Sequence, residues 1–332
     1  MSKVRLAILG CGGMAGAHAQ RFRSHPDATI VACCDVQKDI VDSFIARHLA
    51  ELPAKPAVFT DPAEMYRTAK PDAVVIVTPH TLHAAHGAQA LAAGCHVFME
   101  KPMVTDQDQA HALAASAAAA KKILVVGYNS SCSPELRYVR DAIRKRTFGK
   151  LELVSGYLSQ DWMRLTAGSW RQKPELSGGG QAYDSGAHLF NSLCWSVEAD
   201  VGEVFAYVDN HGTPVDINSV VAVRFANGVL ANIAIGGNCR SDGCNLTYLF
   251  ENGRIDVDGW GGGWIKVHGL PAGQEPVLPG ARQSPNDNFI DAVLGRAEPL
   301  TSPRNGIIQS ELMDAIYESA RTGRPARPKP RG

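Results

Sequence analysis

Val4-Arg5-Leu6-Ala7-Ile8-Leu9-Gly10-Cys11-Gly12-Gly13-Met14-Ala15 begins as a short apolar run, breaks into glycines and continues as a helical pattern. This is the grammar of a buried strand, a tight turn and a helix over residues 14–23. Gly10 permits the turn, Gly12 lets a pyrophosphate approach the backbone, and Ala15 allows close helix–sheet packing. The helix start adds N–H groups and partial positive charge suited to phosphate. Glycine turns also serve purely structural ends, so Asp35 carries much of the weight. It closes the second apolar run, 20 residues after Ala15, where a carboxylate accepts hydrogen bonds from both adenosine ribose hydroxyls. Loop and acid together predict a dinucleotide site. Asp35 favours NAD over NADP because a carboxylate repels a 2′-phosphate, a preference that Lys38 softens.

Outward from this stretch, residues 4–9, 30–34, 73–77, 95–99 and 123–126 form short, largely uninterrupted apolar runs rich in β-branched side chains. Strands buried on both faces read this way. Helical patterns at 14–23, 36–47, 62–69, 82–93 and 106–120 alternate with them, which predicts a right-handed, doubly wound parallel sheet. Beyond about residue 150 the strands lengthen and alternate. Asn227-Gly228 joins 217–225 to 229–235, and Asn252-Gly253 joins 245–251 to 254–257; each is a hairpin signal. A helix at about 185–197 lies among these strands, and helices at 285–294 and 305–320 close the chain. The Pro- and Arg-rich residues 324–332 are expected to be disordered. These patterns divide the chain into a first domain at 1–126 and a second at 127–332, with the closing helix packing back toward the first.

The chain has 332 residues, 45% hydrophobic and 20% charged, with 33 acidic against 33 basic side chains. A formal charge of zero gives no electrostatic case for nucleic acid or an anionic membrane. No apolar run reaches the length of a membrane span, and the first strand follows the start too closely for a signal peptide. The eight cysteines are scattered without zinc spacing, which predicts a reduced, cytoplasmic protein.

Glu100-Lys101-Pro102 stands at the end of the fourth of these runs, where open α/β sheets place ligands. Lys101 there is either a solvated strand-end residue paired with Glu100 or a working group. Asp184 and His188 in the segment Gly178–His188 are four apart and would share a helix face; read singly, they are also a helix cap and a packed imidazole. Trp162, Arg164, Trp170 and Arg171 suit a sugar-binding lid, or ordinary packing. His80, His83 and His86 rotate around a helix instead of converging, so no metal site is expected.

Gly10–Ala15 with His18, Thr78-Pro79-His80-Thr81-Leu82-His83, Glu100-Lys101-Pro102 and the Gly178–His188 segment occur in the order of the glucose–fructose oxidoreductase / inositol 2-dehydrogenase / rhizopine-catabolism (Gfo/Idh/MocA) family, which the chain resembles over nearly its whole length. The resemblance implies an α/β fold with an N-terminal Rossmann doubly wound parallel sheet and a C-terminal α/β domain with a large, mostly antiparallel open sheet. It implies NAD held by Gly10, Gly12, Gly13, Met14, Asp35, Thr78, Pro79, His83, Glu100 and Lys101. Lys101, Asp184 and His188 match the family's catalytic lysine, aspartate and histidine, with Trp162 and Arg171 added as substrate-binding candidates. The implied activity is NAD-dependent hydride transfer at a secondary hydroxyl of a sugar, inositol or related polyol. The alternatives are an NAD-dependent glycosidase using transient C3 oxidation and a non-catalytic NAD-binding regulator. A homodimer or homotetramer formed through the second sheet is also implied. Asn191 stands where the family often has Asp, and His80 where many members have Asn.

Overall fold

The computed structural model describes residues 3–330. The chain forms two compact units. The first takes the chain up to Val104, Asp108–Gly127 and Ser284–Pro303; the second takes Thr105–Gln107, Tyr128–Gln283 and Arg304 onward.

In the first unit, β1 (Val4–Leu9), β2 (Ala28–Cys34), β3 (Ala57–Phe59), β4 (Ala73–Ile76), β5 (His96–Met99) and β6 (Leu124–Val126) make a parallel sheet in the order β3-β2-β1-β4-β5-β6. The connecting helices are α1 (Gly13–Ser24), α2 (Lys38–His48), α3 (Pro62–Ala69), α4 (His83–Ala92) and α5 (Gln107–Ala120). β4 is buried throughout and β1 at every residue but Arg5, as their apolar runs require. Asp61 starts α3 by accepting from the N–H groups of Ala63 and Glu64 at 3.0 and 3.3 Å, with Pro62 at the first helical position. β3 goes beyond the strands expected. Its three residues at the sheet edge are only partly buried, too short a run to carry a pattern.

The second unit contains α6 (Pro134–Lys145), β7 (Leu151–Ser159), α7 (Trp162–Leu165), α8 (Pro174–Ser177), α9 (Gly186–Val197), β8 (Val201–Asp209), β9 (Asn218–Phe225), β10 (Leu230–Gly236), β11 (Gly243–Phe250), β12 (Gly253–Asp258) and β13 (Ile265–His268). Its sheet runs β13-β12-β11-β7-β10-β9-β8, antiparallel except where β7 meets β10. Both Asn-Gly hairpins form in the expected places, β9–β10 and β11–β12. Burial alternates strictly along β9 and β10, so one face meets the core. That core includes Leu136 and Val139 of α6, Leu189, Phe190 and Leu193 of α9, and Leu312 and Ile316 further on. α6 was not among the expected helices, although Ser133-Pro134 marks its start: the Ser133 hydroxyl accepts from the Leu136 N–H at 3.2 Å.

Two helices close the chain. α10 (Pro285–Val293) groups with the first unit, whose core takes up Phe289 and Ile290. It starts on a reciprocal cap between Ser284 and Asp287. α11 (Pro303–Thr322) groups with the second unit beyond its first residue. Of the residues after the second sheet, those that group with the first unit are Ser284–Pro303. The tail corrects one expectation. Ala326 is buried and exchanges both backbone hydrogen bonds with Val204, each 2.8 Å. β8 is an edge strand with unpaired backbone groups, and the tail satisfies them. Of the residues expected to be disordered, 331 and 332 lie outside the described part. No helix among the described residues is long and apolar enough to cross a membrane.

His83, His86 and His96, on α4 and β5, all have pKa values lowered chiefly by burial. A lowered imidazole binds protons more readily in the unfolded chain. Its contribution is complete above the ordinary value of about 6.5 and disappears as pH falls through the lower folded value. The urea midpoint should therefore fall between about pH 7.5 and about pH 5.5; a midpoint constant across that range would contradict the burial argument.

Candidate active site

The dinucleotide loop is built by close backbone approach. Gly10 has φ +89°, and a Cβ there would lie 2.7 Å from the Val77 carbonyl oxygen. Only glycine tolerates both conditions. The Gly10 N–H donates to Cys34 O and the Val77 N–H to Leu9 O, each at 2.8 Å, which draws the ends of β1, β2 and β4 together. In the sheet order β1 and β4 flank the point where the winding reverses, where open sheets take their ligands. Gly12 and Gly13 differ from Gly10: a Cβ on either would meet nothing within 4 Å. Packing does not require glycine there, but a group laid on the backbone does. Gly12 caps α1 without a side-chain acceptor. Asp35 accepts from the Cys11 N–H at 2.9 Å and the Gln37 N–H at 3.3 Å, binding the acid to the loop. A cavity of about 450 Å³ opens beside Gly12 and Gly13, with Asp39, Ser43 and Arg47 on its α2 wall. These residues fit a bound dinucleotide. Lys38 is ion-paired to Asp42 at 2.6 Å.

The ends of β4 and β5 carry the remaining residues expected around the cofactor. Thr78 and Pro79 follow β4; the Thr78 hydroxyl meets His86 Nδ1 at 3.0 Å. His83 is fully buried, with Nδ1 2.8 Å from Pro102 O and Nε2 2.9 Å from Thr78 O. The imidazole lies between two carbonyl oxygens and donates to one of them, so it packs the Thr78 segment close to Pro102. Met14 is exposed in the first turn of α1. Glu100 is buried; Oε1 contacts His18 Nε2 at 2.9 Å and Oε2 accepts the Lys101 N–H at 2.8 Å. Its carboxylate thus holds the Lys101 backbone.

In the second unit, Asp184 lies in the turn ahead of α9, and the helix cap is Ser185. Asp184 is therefore not a cap. Its Oδ2 accepts from Trp162 Nε1 at 2.8 Å and Arg171 Nε at 3.0 Å. Trp162 is 3% exposed and packs with Val215 and Ile217. The expectation of a sugar-facing wall at Trp162 gives way to a brace on Asp184. Arg171 shares that brace, and its guanidinium lies 4.8 Å from the Trp170 ring. His188 is buried on α9, stacked on Trp260 at 4.0 Å and edge-on to Tyr128 at 5.7 Å. Asn191, three residues on, accepts from Ser130 Oγ at 3.2 Å and donates to Gln309 Oε1 at 3.4 Å. The family's frequent acid is replaced by a neutral amide satisfied on both sides.

Two residues outside the sequence expectations organise this half. Trp260, in the glycine-rich stretch Gly259–Gly263, supplies the platform for His188. Asp216 explains the glycine run. It is buried and accepts from the N–H groups of Gly180 and Ala182 at 2.6 and 2.7 Å and from the Tyr317 hydroxyl at 2.6 Å. A Cβ at Gly180 would lie 2.0 Å from the Asp216 carbonyl oxygen. A lone acid between Val215 and Ile217 was the available signal, since a buried carboxylate needs partners.

Comparison with known proteins accords with this arrangement. Residues 4–128 match the model of the oxidoreductase family with an NAD-binding Rossmann fold, and residues 136–259 match the GFO/IDH/MocA C-terminal domain. The chain belongs to the Gfo/Idh/MocA family. Its first unit is the family's NAD-binding Rossmann fold. D-glucoside 3-dehydrogenase of Escherichia coli strain K12 is 29% identical over 58% of this chain and 54% of its own length. A 1-carboxy-3-chloro-3,4-dihydroxycyclohexa-1,5-diene dehydrogenase of Comamonas testosteroni is 25% identical over 70% of this chain and 58% of its own length. The chain thus spans little more than half the length of these two relatives. The WlbA dehydrogenase of Bordetella pertussis, solved with NADH and UDP-GlcNAcA, is 26% identical, covers 99% of this chain and 100% of its own, and superposes with a TM-score of 0.84.

Asp216→Ala removes the acceptor of three buried donors. It should lower stability by about 3 kcal/mol or more, read as a shift in the denaturation midpoint at unchanged slope. A loss below about 1 kcal/mol would remove Asp216 from the cradle.

Proposed function

We propose that the protein is an NAD-dependent dehydrogenase moving hydride between the nicotinamide and a secondary hydroxyl of a sugar, inositol or related polyol. The observation that carries this reading is the disposition of Asp184: an indole and a guanidinium hold its carboxylate on the turn leading to His188. Bound NAD supplies the hydride acceptor. His188 takes the hydroxyl proton, a task suited to imidazole near neutral pH. Lys101, its backbone tied to Glu100, donates to the same oxygen and stabilises the negative charge that develops there. Asp184 orients the histidine or holds a neighbouring hydroxyl. Asp35 takes the ribose hydroxyls and makes NAD the preferred cofactor over NADP, since Lys38 is engaged by Asp42. The sugar reading draws support from the relatives named for a glucoside and a nucleotide sugar acid. All eight cysteines are thiols and seven are buried, which suits the reducing cytoplasm.

A panel of sugars, inositols and sugar acids, assayed for NADH formation, tests the reaction class. Lys101→Met and His188→Ala should each lower kcat by about 10²-fold or more while NADH still binds. Near-wild-type turnover in either would remove that residue from the chemistry. Release of an aglycone without net NADH would instead identify a glycosidase, and tight NAD binding without turnover on any polyol a regulator.

The oligomeric proposal rests on the second sheet. Tyr157, Tyr207, Val220 and Leu230 are exposed at 44%, 70%, 57% and 42%, on strands whose opposite face fills the core. Apolar groups in such number on one sheet suit a subunit interface. Tyr207→Glu combined with Val220→Lys should convert a dimer or tetramer to monomer in sedimentation analysis; a wild-type monomer would overturn the proposal.

A further inference from the structure

Behind Lys101, within the first unit, lies a chain of polar contacts that the proposed chemistry does not itself require. His18 on α1 is 2% exposed and Asn286 on α10 is 1% exposed. Asn286 Nδ2 stands 3.1 Å from His18 Nδ1, His18 Nε2 stands 2.9 Å from Glu100 Oε1, and Glu100 Oε2 accepts the Lys101 N–H at 2.8 Å. Arg21 Nη1 donates to Asn286 Oδ1 at 3.5 Å. That contact sets the amide: its oxygen faces the guanidinium, and its NH₂ faces the imidazole. An N–H donated to Nδ1 needs a lone pair there, so the ring proton sits on Nε2, pointed at the carboxylate. The opposite tautomer would set one lone pair against another at Glu100.

The surroundings hold this geometry. Phe98 packs against His18 with ring centres 5.0 Å apart, and Phe22 and Phe289 pack against Phe98 at 5.7 and 5.6 Å. Phe289 stands one turn from Asn286 on α10, so the helix that supplies the amide also supplies the wall. Water is kept away, and a hydrogen bond in such a place counts for more than at the surface.

We propose that Asn286 and His18 are positioning residues for Lys101: the Asn286 amide anchors the His18 ring and keeps Nδ1 unprotonated, so that Nε2–H pins Glu100 and, through it, the Lys101 backbone at the end of β5. The inference rests on the dehydrogenase reading only for its effect on turnover; the tautomer and the Lys101 hydrogen bond are measurable without substrate. α10 then has a task in the site although it enters the sheet far along the chain.

Nitrogen-15 NMR of histidine-labelled protein, with His18 assigned by its loss in His18→Phe, reports the tautomer. Amide hydrogen exchange reports the Lys101 N–H. The wild type should show Nε2–H alone. Asn286→Leu removes the donor at similar volume, and Asn286→Asp keeps the shape but turns a donor into an acceptor that calls for a proton on Nδ1. Asn286→Asp should add a proton at Nδ1, so that the ring reads as the doubly protonated imidazolium in place of the neutral Nε2–H tautomer. Asn286→Leu, which leaves the ring unanchored at Nδ1, should exchange Lys101 faster and lower kcat by about 10- to 100-fold, with NADH affinity and KM changed far less. A packing role would leave Asn286→Asp with the wild-type tautomer. Should Asn286→Leu not fold, His18→Phe carries the same exchange and kcat readouts. Retention of the neutral, singly protonated Nε2–H tautomer in Asn286→Asp, or unchanged Lys101 exchange and kcat in His18→Phe, overturns the proposal. If the wild type turns over no polyol, the dehydrogenase reading falls, while the NMR and exchange results still decide the relay.

Discussion

A missing Cβ at Gly10 governs the first unit. With a side chain there, its Cβ would stand only 2.7 Å from the Val77 carbonyl oxygen, and β1 and β4 could not end so close together. Everything placed at that end of the sheet follows from this approach: the loop on one side, the Thr78 segment on the other, and Asp35 drawn in by the Cys11 N–H. Glycines 12 and 13 answer to a different demand, since a Cβ there would find open space. Gly10 serves the packing of the sheet, and on the proposed reading the next two serve what binds to it.

The second unit solves a similar problem with a carboxylate. Three consecutive glycines, 178–180, would leave a turn with little reason to hold one shape, because glycine loses much conformational entropy on ordering. Asp216 overcomes this by gathering two backbone N–H groups and the Tyr317 hydroxyl. The turn that follows carries Asp184 and leads into α9. Burial and the nearby Asp216 push the Tyr317 pKa well up, so the phenol remains a donor to that carboxylate at any ordinary pH.

The first sheet was legible because each buried strand is a short, largely apolar run closed by glycine, an acid or threonine. The hairpins were legible because Asn-Gly suits few other conformations. β3 left no pattern because three partly exposed residues have no period. In the site, Lys101, Asp184 and His188 were legible as residue types in motifs, but their supports were not. Asn286 stands 268 residues from His18, and Asp216 is 36 residues from Gly180. No local spacing reports a contact of that kind. Trp162 was misjudged for the same reason. Its indole N–H and its burial are set by Asp184, 22 residues away, and a tryptophan in a loop looks alike whether it faces a sugar or a carboxylate.

Four carboxylates of the two units each have structural partners. Asp35 takes two backbone N–H groups, Glu100 an imidazole and a backbone N–H, Asp184 an indole and a guanidinium, and Asp216 three donors. A carboxylate so engaged is a poor candidate to shuttle protons, because protonation would set an O–H against donors already in place. Acid–base work in such a setting falls to side chains of another type. On the proposed reading these are a lysine, whose backbone one carboxylate holds, and a histidine, set one turn after another. On that same reading the acids are the frame, and the lysine and the histidine act on the hydroxyl.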